Sequence, residues 1–199
     1  MKGITDTFRT AFTKPAYTGM MWLLLRAFVG YEFLSAGIDK VQSGEWIGGN
    51  AIGGFLGGAL KKAATGDHPE VQGWYAGLIN GVFLPNANFF SGLVAIGEVA
   101  VGIALILGVM TKFAAFSGAL MNVAFLAAGT SSSNPQMLVM QVAMMFAGAG
   151  VAYYGVDYFL MPYLKKVLHI GTSTENTTEE TRERDTRIPL TGGFPRPVH

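Results

Sequence analysis

The sequence has no cysteine among its 199 residues. Disulfides, thiolate-bound metals and thiol chemistry are therefore excluded. Histidine is almost as scarce, with only His68, His169 and His199. None lies in a long apolar run. A haem held by paired axial histidines inside a membrane bundle is thus excluded, as is an iron–sulfur cluster on thiolates. No metal site is expected, and no cofactor held covalently or by metal ligands; a diffusible quinone is the redox group left open. Charge is also short, at 14% of residues against about 25% in soluble domains. A net charge of +1 without a clustered basic face argues against nucleic acid as a partner. The first 19 residues lack the apolar core of a cleaved signal peptide, so the first membrane helix is expected to direct targeting.

What the chain has is hydrophobicity, 50% of residues, arranged in long runs. A crossing needs roughly 20 apolar residues at about 1.5 Å rise each. Four runs qualify: Thr18 to Ile38, Phe89 to Lys112, Phe113 to Gly129 and Gln136 to Leu160. The expected fold is all-α, a polytopic membrane protein with a four-transmembrane-helix bundle. Residues 1–17 read as a cytoplasmic or interfacial segment, 18–164 as the membrane domain, and 165–199 as a charged tail. Lysine and arginine cluster at both ends and at Lys112, while the turn near 130–135 has neither. By the positive-inside rule both termini face the cytoplasm.

The long connection, 41–88, opens with a glycine-rich apolar stretch that reads as interfacial or re-entrant. Further on, Val71, Trp74, Tyr75, Leu78, Ile79, Val82 and Phe83 recur at helical spacing. They make one face of an amphipathic helix, lying either at the membrane boundary or as a cap over the bundle. Met137, Met140, Met144 and Met145 read as packing filler rather than a soft-metal site, which would also recruit Cys or His.

Three charged residues sit deep inside the apolar runs, Arg26, Glu32 and Glu98, and a fourth, Asp157, lies near the end of the last run. Such groups cost about 2.5–3.5 kcal/mol each at a helix centre on insertion scales and require partners. Counting helical rise from the expected boundaries puts Glu98 between Arg26 and Glu32 in depth. An Arg26–Glu98 contact is then open, with arginine's planar fork gripping the carboxylate. Two readings follow: a buried pair that fixes helix register, or a polar site for a quinone carbonyl or a proton relay. Asp157 is expected to cap the bundle near the N-terminal segment. Gly30 and Gly37 would let a neighbouring helix approach closely, and Ala100, Ala104 and Gly108 would do the same on the second run.

These residues also form a pattern. The first run reads LLRAFVGYEFLSAGIDKV, with Arg26, Gly30, Gly37 and Lys40. The second reads IGEVAVGIALILGVMTKFAA, with Gly97, Glu98, Gly102, Gly108 and Thr111. The fourth closes on YYGVDYFL, with Gly155 and Asp157. This resembles the DoxX/DoxD family of four-helix membrane proteins of bacteria and archaea. The resemblance implies an integral subunit of, or accessory to, a respiratory or other membrane redox complex. Its partners would then be lipid, other membrane subunits and a quinone, and its location the cytoplasmic membrane. For DoxD-like members it implies the large subunit of a thiosulfate:quinone oxidoreductase. A small proton-coupled carrier using Glu98 is the third reading. Whether the chain is itself an enzyme stays open at this level.

Overall fold

A computed structural model describes residues 15–48 and 50–167. The expected N-terminal segment and charged tail lie almost wholly outside them. The described chain is helical: α1 (Pro15–Ser43), a 3-10 turn (Trp46–Gly48), α2 (Asn50–Ala63), α3 (Gly73–Leu78) running into a π-helical turn (Ile79–Phe83), α4 (Ala87–Leu107), α5 (Thr111–Ala127), α6 (Asn134–Phe146), a second 3-10 turn (Ala149–Ala152) and α7 (Asp157–Val167). It divides into two compact units, the first ending at Tyr158. Of the second, the described part is the α7 backbone from Phe159 to Val167.

Two helices are long and apolar enough to cross a membrane, over Thr18–Ser43 and Ala87–Leu107. They pack as an antiparallel pair along a glycine seam. A side chain added at Gly102 would lie 2.6 Å from the Leu34 nitrogen, and one at Gly37 2.7 Å from the Val99 nitrogen. At Gly30 it would meet Ile106 at 2.8 Å. Backbone therefore touches backbone here, as Gly30 and Gly37 predict. The small face on α4 differs from expectation. Gly102 faces α1, while Ala100 is exposed. The helix turns Ala100 away because the glycine contact fixes its rotation.

The fourth run is not one helix. α6 stops at Phe146, Ala147 is extended (ψ 141°), and the backbone resumes only as a 3-10 turn before α7. The sequence here, AGAG at 147–150, has low helix propensity in its glycines and little side-chain surface to hold a helix against its neighbours. Hydropathy does not register that weakness. α6 at 13 residues and α5 at 17 are shorter than a full crossing of about 20 residues.

One core joins α1, α4, α5, α6 and the second 3-10 turn through Val29, Phe33, Leu105, Ala115, Met144 and Val151. Met137 and Met144 are buried in it, with Met140 and Met145 packed alongside. A second core lies between α2 and α3. The glycine-rich stretch is helical and buries Ile52, Leu56 and Ala59 against Val71, Tyr75 and Ile79. Trp74 and Val82, assigned to the same stripe, are exposed, since the buried line follows strict i, i+4 spacing. Ala128 and Phe90 join this cluster, so α2 and α3 cover the C-terminal end of α5 and the N-terminal end of α4.

Candidate functional site

The intramembrane charges separate into three places. Glu98 Oε2 lies 2.7 Å from Lys40 Nζ. Its partner is Lys40 rather than Arg26. The seam explains the difference, because Gly37 sits opposite Glu98 and Val99, while Arg26 sits opposite Gly108. Ten residues of α4 separate those levels, about 15 Å. Lys40 lies within α1, which continues past the expected end at Ile38 to Ser43. Its ammonium is accommodated by Glu98, by the Trp46 ring at 5.1 Å and by the Phe125 ring at 5.9 Å, a charge pair within an aromatic collar. Glu32 is elsewhere again, accepting from Ser133 Oγ at 3.2 Å at the start of α6.

Arg26 is almost wholly buried and serves the helix break. Its two terminal nitrogens donate to the carbonyls of Val151, at 2.9 Å, and Tyr154, at 2.7 Å. Both carbonyls belong to the stretch that replaces the expected helix, where backbone groups lack helical partners and must find others. Nε has no partner among the described residues. Gly108 and Gly155 flank the guanidinium so closely that a side chain on either would strike it.

Asp157 locks the same end. Its carboxylate accepts from the Met110 and Thr111 nitrogens at 2.6 and 2.7 Å, capping α5. In return the Val156 and Asp157 nitrogens donate to the carbonyls of Leu107 and Gly108, at 3.1 and 2.8 Å. Asp157 thus caps the α4–α5 turn, where Gly108 and Met110 take left-handed backbone (φ 69° and 46°). Its expected neighbour, the N-terminal segment, is outside the described residues. Arg26, Gly108, Thr111, Gly155 and Asp157 therefore meet in one node, and Gly37, Lys40 and Glu98 in another. Gly30 and Gly102 form the seam between the two.

Sequence reasoning missed Gln141. It is fully buried and accepts from Asn122 Nδ2 at 2.7 Å. The signal was available: Asn122 and Gln141 lie at nearly equal distances either side of the 130–133 turn, so an antiparallel hairpin brings them level.

A groove of about 650 Å³ opens between α4 and α5. Its walls are almost entirely apolar, with Gly97, Ala100 and Ala104 on α4 and Phe113, Ala114 and Met121 on α5. Ile52, Phe55, Tyr75 and Phe83 close one end, where α2 and α3 cover the bundle. Trp46 and Phe125, the rings beside Lys40, are part of the wall. Tyr75 donates to the Ala124 carbonyl at 2.8 Å, and burial raises its pKa, which keeps the phenol protonated. Among the described residues no group of His, Cys, Asp and Glu could hold a metal ion.

The family model described as DoxX matches residues 21–131, a stretch running from α1 through α5 and holding the seam, Lys40, Glu98 and both groove walls. Comparison with curated proteins and with solved structures gave no match.

Proposed function

The chain belongs to the DoxX family, and on that premise we propose that this membrane protein is a subunit of, or an accessory to, a respiratory or other redox complex, with a quinone-adjacent site along the α4–α5 groove. In this reading α5, and α6 with its 3-10 extension, complete a four-crossing bundle in a bacterial or archaeal cytoplasmic membrane, both termini inside.

One observation carries the reading: a long apolar groove shares a wall with a buried ion pair. Lipid-soluble ligands suit concave apolar sites with a few placed polar groups. Here Lys40 and Glu98 sit behind Trp46 and Phe125. Intramembrane ionisable groups are costly, and their presence beside a cavity points to use as well as to packing. Within the described chain there is no metal-ligand cluster, and the sequence has no thiol. In this reading electrons pass through partner subunits, and this chain supplies the quinone's surroundings.

Gentle detergent extraction from native membranes tests the proposal. The expected result is co-purification with larger redox subunits, and an organic extract containing quinone in near-stoichiometric amount. A protein that purifies alone, at monomer mass, and still reduces quinone with thiosulfate would overturn the accessory reading in favour of an enzyme.

A further inference from the structure

We infer that the groove holds one isoprenoid quinone lengthwise, its ring beneath the α2–α3 roof beside Trp46 and its tail running between α4 and α5 toward Met110. This rests on the quinone reading above and adds the pose. The groove extends along α4 from Phe90 to Ala104, about 21 Å of helix. Spread over that length, 650 Å³ is a channel for a single hydrocarbon chain rather than a chamber for a compact ligand.

Its rim says where the ligand comes from. Leu93, Phe113 and Leu120 line the groove and are 53%, 62% and 55% exposed. On membrane-crossing helices such side chains face hydrocarbon, so the groove fills sideways from the bilayer.

Its closed end says what head it takes. No cationic side chain lines the groove, and the nearby ammonium of Lys40 is neutralised by Glu98. A phospholipid headgroup would lose its water there without a counter-charge, at a large cost. An uncharged ring with carbonyl acceptors would not. Trp46 lines this end and carries the one indole N–H there that could donate to a carbonyl, and Phe55, Tyr75 and Phe83 line it beside Trp46. Toward the other end the lining offers no unused polar side chain beyond Ser117, whose neighbour Gly118 lies against Val101, about 17 Å along the groove from Phe90. Ser117 therefore flanks the tail.

The test uses the full-length protein in nanodiscs, titrated with a short-tailed and a long-tailed quinone of the same ring, reading quenching of tryptophan fluorescence. The wild type should show saturable quenching with both. Trp46→Phe should remove the saturable component. Ser117→Leu, which obstructs the channel beyond the ring position, should weaken the long-tailed quinone about tenfold or more and the short-tailed one less than about twofold. Val139→Leu, on the exposed face of α6 outside the groove, controls for insertion and folding. Absence of saturable quenching by either quinone would overturn the quinone reading itself. Saturable quenching that survives Trp46→Phe, or a Ser117→Leu loss independent of tail length, would overturn the pose and leave that reading standing. A phospholipid retained in the groove by native mass spectrometry and not displaced by quinone would also overturn it.

Discussion

Lys40 and Glu98 face each other across the α1–α4 seam at 2.7 Å, one helical turn beyond the point where Gly37 touches Val99. The contact fixes the sliding position of the two longest helices. A slip of one turn would strand a carboxylate that is only 3% exposed.

Glu98→Gln should therefore destabilise the bundle by about 3 kcal/mol, the lower part of the range for breaking a buried pair, because Lys40 keeps some access to solvent. The double change Lys40→Met with Glu98→Gln should recover much of the loss. A thermal-unfolding cycle in detergent measures both. Undiminished stability of Glu98→Gln with altered quinone affinity would assign the pair to ligand binding instead of packing.

Gly102 and Gly97 are separated by little more than one turn yet should respond oppositely to alanine. At Gly102 the new methyl meets the Leu34 backbone and the Gly30 carbonyl, at 2.6 and 2.8 Å. Overpacking of that kind costs about 1–3 kcal/mol. At Gly97 it meets only the flexible end of Met121, at 3.6 Å. There alanine should be neutral or stabilising by up to about 1 kcal/mol, through reduced backbone freedom in the unfolded chain. Melting temperatures of the two variants decide the matter.

Arg26→Lys keeps the charge but replaces a fork that reaches two carbonyls with a single ammonium. Losing one charge-assisted hydrogen bond should cost about 1.5–3 kcal/mol. The loss should appear locally, as faster amide exchange over residues 148–156. Uniformly faster exchange throughout the protein would show that the guanidinium holds the whole bundle rather than the break.

Asn122→Leu and Gln141→Leu should each be destabilising, because each leaves a buried amide without its partner. The double variant should be closer to wild type than either. Chemical unfolding of the three variants reads the coupling. Additive losses would mean that the two amides do not depend on each other.

Much of this was legible in the residues. Gly30 and Gly37 announced a close helix contact, and the apolar positions of α1 and α4 marked the two long helices. The polar pattern from Arg26 to Asp157 pointed to the family. The partner of Glu98 was not legible. Depth arithmetic from assumed span ends locates a residue to within a turn or two, whereas the real register is set by three glycines meeting backbone. The break after Phe146 was hidden because Ala, Gly and Val are apolar whether or not they are helical. The groove was hidden because Ala100, Phe113 and Leu120 look the same in sequence whether they pack against a helix or line a space.

The arginine at the break also imposes an order on biosynthesis. Arg26 and its first acceptor are 125 residues apart, which at ordinary translation speeds is a delay of about 6–25 s. Throughout that interval the leading helix carries a cation whose acceptors have not yet been made. A nascent chain that stalls before Val151 leaves the guanidinium without either carbonyl that holds it in the finished fold.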